Sequence, residues 1–154
     1  MTRKFCVLLV DDDYNDRLLF ESAFGQSGLH GQLFEANDGV AAIDYLLGQG
    51  LYDDRMKFPF PDVVFLDLKM PGMDGFGVLK QIRSTAALKD LPVFVLSNSR
   101  LEPDVKSAYA LGANAVHQKP SRFLDFVNLL RTLLTPWHRV YFGDTPRTSS
   151  ESSG

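Results

Sequence analysis

Phe5-Cys6-Val7-Leu8-Leu9-Val10-Asp11-Asp12-Asp13 sets six apolar residues against three aspartates. A run of this length without polar alternation reads as a strand covered on both faces, the pattern of a parallel sheet sandwiched between helices. Two more runs farther along repeat the pattern: Val63 to Leu66 stops at Asp67, and Val93 to Leu96 follows Pro92 and stops at Ser97. Shorter strands are expected at Leu33 to Ala36 and at Ala115 to His117. Helix-period stretches separate these runs, so the order is five β-α units, and the expected fold is α/β with a doubly wound, five-stranded parallel sheet.

Helix 1 is expected from about Asn15 to Phe24, with Leu19, Phe20, Ala23 and Phe24 at helical spacing. Asn37, Asp38 and Gly39 turn the chain into helix 2, where Val40, Ile43 and Leu47 share a face. From Gly48 to Pro61 no period is visible, and the stretch reads as a long surface connection. Asp74 and Gly75 introduce helix 3, with Phe76, Leu79 and Ile82 inward. Helix 4 begins near Pro103, carries Val105, Ala108 and Leu111, and ends at Gly112. Helix 5 begins at a Ser121 cap, presents Phe123, Val127, Leu130 and Leu134, and is expected to stop at Pro136. The domain is therefore placed at residues 1–136. Residues 137–154 form a C-terminal extension, aromatic from Trp137 to Phe142 and then rich in Ser and Thr and expected to be disordered.

With 154 residues, 45% of them hydrophobic, the chain suits one soluble globular domain. A net charge of −3 argues against a nucleic-acid partner. No apolar run approaches a membrane span, and Thr2, Arg3 and Lys4 lead into too short a run for a signal peptide, so a cytoplasmic location is expected. Cys6 is the only cysteine. It reads as a small buried hydrophobe in a reducing compartment. His30, His117 and His138 lack the spacing of a zinc site and read as surface or packing residues.

In an open parallel sheet the ligand site lies at the carboxyl ends of the strands, where the strand order reverses. Those ends carry Asp11, Asp12 and Asp13, then Asp67, Ser97 and Lys119. Carboxylates about 4 Å apart repel by roughly 1 to 4 kcal/mol per pair, a cost that a divalent cation removes. Oxygen ligands with open water positions suit Mg²⁺. A carboxylate can also attack phosphorus to give an aspartyl phosphate, with a lysine balancing charge and a hydroxyl holding an oxygen. Each residue alone reads as an ordinary cap, turn or surface charge; the joint arrangement points to phosphoryl chemistry.

At this level the sequence resembles the receiver domains of bacterial response regulators, from about Arg3 to Leu134. The carrying motifs are Val7 to Asp13, Phe65-Leu66-Asp67-Leu68-Lys69-Met70-Pro71-Gly72-Met73-Asp74-Gly75, Val93 to Ser97, and Lys119-Pro120. The resemblance implies a flavodoxin-like (βα)5 receiver fold with Asp67 as phosphoacceptor. It implies Mg²⁺ held by Asp11, Asp12, Asp67 and the backbone carbonyl of Lys69, with Ser97 and Lys119 on the phosphoryl group. It also implies a cis peptide between Lys119 and Pro120, and places Lys69 and Ser99 where the family tunes loss of the phosphoryl group. Asp13 has no family role and reads as a loop or cap residue. One departure is Val116, where many members carry the Tyr or Phe of a rotamer switch coupled to the Ser or Thr. Any relay from Ser97 is then expected to run through other contacts of helix 4 and its preceding loop.

The long connection and the aromatic tail are similar to single-domain regulators that partner with phytochrome-type histidine kinases. That implies a sensor histidine kinase, of bacteriophytochrome type, as partner. Tail aromatics packed between two copies would make a homodimer; the alternative is that they fold back on their own domain. No output domain is expected to follow, so the signal is expected to leave through a surface of this domain. A switch of this kind assists its own phosphorylation and turns over no external substrate, so the chain is not expected to be an enzyme. Two rivals remain. Asp11 and Asp13 form an Asp-x-Asp that resembles the haloacid dehalogenase type of phosphatase, though Asp67 is then unexplained. An interaction module that is never phosphorylated is the other, and it has no use for crowded carboxylates.

Overall fold

The computed structural model describes residues 4–98 and 101–142, with side chains through residue 139. Ser99 and the tail beyond Phe142 lie outside the described residues, as do the side chains of Tyr141 and Phe142. The elements alternate as expected: β1 (Cys6–Val10), α1 (Tyr14–Gln26), β2 (Gln32–Ala36), α2 (Gly39–Leu47), β3 (Val63–Leu66), α3 (Gly75–Ser84), β4 (Val93–Ser97), α4 (Glu102–Ala110), β5 (Ala115–Gln118) and α5 (Phe123–Phe142). All five strands are parallel in the order β2-β1-β3-β4-β5, which reverses between β1 and β3.

Alternation along each strand divides the core in two. Leu8, Val10, Val64, Leu66, Val93 and Val95 face α2, α3 and α4. Val7, Leu9, Val63, Phe65, Phe94 and Leu96 face Phe20, Ala23 and Phe24 of α1 and Phe126, Val127, Leu130 and Leu134 of α5. β1, β3 and β4 are buried throughout, at about 1.5 to 3 kcal/mol for each large apolar side chain removed from water. Cys6 is buried at the start of β1, as its neighbours suggested.

Aspartates begin three helices. The side chains of Asp13, Asp38 and Asp74 accept from the N–H groups of Asp16, Ala41 and Gly77 and so cap α1, α2 and α3. Gly75 is required at the start of α3, because a Cβ there would stand 2.2 Å from the carbonyl oxygen of Asp67 and 2.7 Å from Leu68 Cα.

Three expectations are corrected. On α2 the buried side is Ala42, Ile43, Tyr45 and Leu46, while Val40 and Leu47 are exposed. The helix is apolar almost all round, so its period could not choose a face. The connection before β3 runs over the surface, as expected, and is also stitched to the domain. Arg55 donates to the carbonyl oxygens of Tyr45, Leu46 and Phe58, and the Tyr45 hydroxyl donates to Pro59 O at 2.9 Å, while Tyr52, Phe58 and Phe60 pack on the core.

Pro136, finally, does not end α5, which runs on to Phe142, so a boundary at 136 falls inside a helix. Proline interrupts a helix by lacking an N–H and crowding the preceding turn. Tertiary contacts outweigh that here. Leu134 is fully buried, Trp137 packs against the second core, and His138 is buried with its Nε2 accepting the His30 N–H at 3.1 Å. Phe123, at the other end, is exposed, and Phe126 takes the inward position instead.

Candidate functional site

Strand register assembles the site. Val10 lies beside Leu66, Leu66 beside Val95, and Ser97 beside Gln118. One step farther, the Asp67 N–H donates to Val10 O at 3.0 Å, and the Lys119 N–H donates to Ser97 O at 2.9 Å. The chain thus leaves β1, β3, β4 and β5 at one end of the sheet, at the strand-order reversal that makes a crevice. Asp11, Asp67 and Ser97 are buried, and Asp12 is exposed at the rim. Asp12, Asp67, Lys69 and Ser97 line one cleft together with Asp13, Asp16 and Asn98.

Carboxylate oxygens of Asp11, Asp12 and Asp67 all lie within 4.8 Å of one another. That spacing and donor set fit a divalent cation, because three anionic oxygens on one side leave room for water or substrate oxygens on the other. Lys119 reaches in from β5. Its Nζ stands 2.8 Å from Asp11 Oδ2, 2.7 Å from Asp16 Oδ2 and 3.7 Å from Asp67 Oδ1. Behind it, Leu9, Leu19, Phe20, Leu66, Leu96 and Phe126 form an apolar floor.

Burial there pushes Asp67 up to about 6. Lys119 opposes that rise, Asp11 and Asp12 add to it, and the Lys69 N–H again opposes it. For Lys119, burial favours the neutral amine, but hydrogen bonds to Asp11 and Asp16 and the Asp67 charge outweigh it and raise the ammonium above its ordinary value. The site is poised: its central carboxylate takes up a proton more readily than an ordinary aspartate, and its lysine is held as the ammonium.

Other residues sort themselves around this centre. Asp13 caps α1, in keeping with its reading as a cap residue, so the second aspartate of the Asp-x-Asp in the phosphatase reading is engaged by the helix. The Lys69 side chain turns outward, 3.3 Å from Asp104 and over the Phe76 ring. No cis peptide occurs among the described residues, so the bond before Pro120 is trans, the form that X-Pro bonds favour by about 0.5 to 1 kcal/mol. Where an aromatic was absent at Val116, the hydroxyl of Tyr109 on α4 accepts the Val116 N–H at 3.1 Å. Asp16 was missed by the sequence reading. Its signal was an acidic residue in the first turn of α1, three places after a capping aspartate.

Comparison with known proteins decides the family. A family model for the response regulator receiver domain matches residues 7–131. The chain belongs to the response regulator receiver domains. Receiver domains of two-component signalling are phosphoacceptor switches, and their partner is a sensor histidine kinase. Response regulator Rcp1 of Synechocystis is 33% identical over 131 residues, covering 85% of this chain and 87% of Rcp1. The Mn²⁺-bound form of Rcp1 superposes with a TM-score of 0.76 at 32% identity, over 88% of this chain and 94% of that one. Response regulator RPA3017 in red light signalling of R. palustris gives a TM-score of 0.81 at 31% identity, over 94% of this chain and 99% of that one. The phosphorylated cyanobacterial phytochrome response regulator RcpA gives 0.79 at 30%, over 88% and 94%. Together with the buried acidic cluster, the Mn²⁺-bound relative supports divalent-metal binding by this receiver domain. Among the described residues no helix is long and apolar enough to cross a membrane.

Proposed function

We propose that Asp67 accepts a phosphoryl group from a phosphohistidine of a sensor histidine kinase. The observation that carries this reading is the convergence of Asp11, Asp12, Asp67 and Lys119 in one cluster, buried except for Asp12 at its rim. An Asp67 carboxylate oxygen forms the bond to phosphorus, the phosphorus–nitrogen bond breaks, and its electron pair stays on the imidazole. Asp11, Asp12, Asp67 and the Lys69 carbonyl would hold Mg²⁺, which neutralises charge on the transferring group when bound. Lys119 supplies positive charge on the opposite side, and the Ser97 hydroxyl donates to a phosphoryl oxygen. The catalytic residues are therefore Asp67, Ser97 and Lys119. The domain processes no external substrate, and we class it as a switch and not an enzyme.

The kinase is of bacteriophytochrome type, a reading supported by the red-light and phytochrome regulators among the similar structures. The receiver unit takes in all of α5, acts in the cytoplasm, and pairs with a second copy through the C-terminal end of that helix. Sedimentation as a monomer at tens of micromolar, phosphorylated or not, would remove the dimer from this reading.

Intact-protein mass after incubation with a small-molecule phosphodonor and Mg²⁺ tests the central claim. One phosphoryl adduct is expected, absent with chelator and absent in Asp67→Asn. An adduct that survives Asp67→Asn overturns the assignment of the acceptor.

A further inference from the structure

Lys119 is shared unequally. Its ammonium lies at hydrogen-bond distance from Asp11 and Asp16, 2.8 and 2.7 Å away, but 3.7 Å from Asp67, the acceptor proposed above. An ammonium has three donors, and two of them are committed to the resting partners.

Asp16 differs from Asp11 in what it can do next. Asp11 is buried, 4% exposed at its side chain, and belongs to the acidic cluster, whereas the side chain of Asp16 is 31% exposed. A carboxylate that keeps part of its hydration loses little when its partner leaves, while a buried one is left uncompensated. Asp16 is also held in place. Its N–H donates to the Asp13 side chain at 2.9 Å, and the neighbouring Arg17 guanidinium donates to Asp11 O at 2.9 Å, so the first turn of α1 is fixed against the end of β1.

We infer that Asp16 is a positioning residue that holds the Lys119 ammonium off Asp67 until a phosphoryl group displaces it. This rests on the phosphoacceptor reading of Asp67. A phosphoryl group there brings a charge near −2 and three acceptor oxygens, a stronger partner for Lys119 than one half-solvated carboxylate. Asp16 therefore competes with the phosphoryl state and sets how readily it forms. Release of Asp16 also makes the first turn of α1 sensitive to the state of Asp67.

Beryllofluoride with saturating Mg²⁺, titrated by calorimetry into the full chain, serves as a phosphoryl mimic. Asp16→Asn is expected to tighten binding by about five-fold, the size of a partly exposed ion pair, and Asp16→Glu to restore the wild-type value. Removing one negative charge near an anion tightens binding somewhat by itself, so the same substitution is repeated on Lys119→Met, where the tightening is expected to be clearly smaller. Equal tightening in both backgrounds, or unchanged or weaker binding by Asp16→Asn, overturns the positioning role while leaving the phosphoacceptor reading intact. A wild-type chain that binds no beryllofluoride overturns both. If Lys119→Met itself fails to bind, hydrogen exchange of the Lys119 ammonium in the free protein decides: it is expected to speed up in Asp16→Asn, and an unchanged rate overturns the proposal.

Discussion

Two contacts in this receiver domain each span 108 residues. Lys119 reaches Asp11 at the carboxyl end of the sheet, and His138 reaches His30 at the other. The first is crowded with charge, and the second is packed, with the His138 ring edge-on to Phe5 and stacked on His30. Burial acts on both but in different currencies. It raises Asp67 and lowers His138, where the His30 charge lowers it further. One closure lies just before α5 and the other near its C-terminal end, and the charged groups gather at the first.

The sharpest way to break the comparison is to remove each end in turn. Asp67→Asn should abolish the phosphoryl adduct and at the same time raise stability by about 1 kcal/mol, because it relieves like-charge crowding; mass and urea unfolding on one sample read both. Mg²⁺ should stabilise the reactive end alone, by about 2.7 kcal/mol at a hundred times its dissociation constant, with the gain cancelled by chelator and reduced in Asp12→Asn. His138→Ala should leave adduct formation unchanged and lower stability by about 2 kcal/mol through lost packing.

Acid should pull the two ends in opposite directions. Asp67 is raised from 3.8 to about 6, so in metal-free protein the native state takes up the proton first, and this end gains stability as pH falls through 6. His138 is lowered from 6.5, so the unfolded state takes up its proton first, and that end loses stability as pH falls below 6.5. In Asp67→Asn the loss from His138 should remain once the opposing gain from Asp67 is gone. A flat profile in that variant would mean that His138 is not desolvated.

The reactive end was far more legible in the sequence than the packed one. Four strands end in residues that are wasted unless they meet, so Asp11, Asp67, Ser97 and Lys119 pointed to a common crevice. Asp16 did not, since an acidic residue in a first helical turn also satisfies the helix dipole. At the packed end, local rules pointed the wrong way. Pro136 is a helix breaker in its own neighbourhood, and only the long-range burial of Leu134, Trp137 and His138 keeps α5 going. The inward side of α2 was unreadable for a related reason, because nearly every residue on it is apolar and the choice belongs to Tyr45 and its bond to Pro59.

Gly75 gives the loop after β3 a property useful at the bench. Its N–H donates to Leu68 O at 2.9 Å, and its missing side chain lets the start of α3 lie against the backbone of Asp67. Residues 69 to 74 therefore form a cassette with fixed ends. Any loop exchanged between them must keep glycine at 75 and, because it caps α3, aspartate at 74.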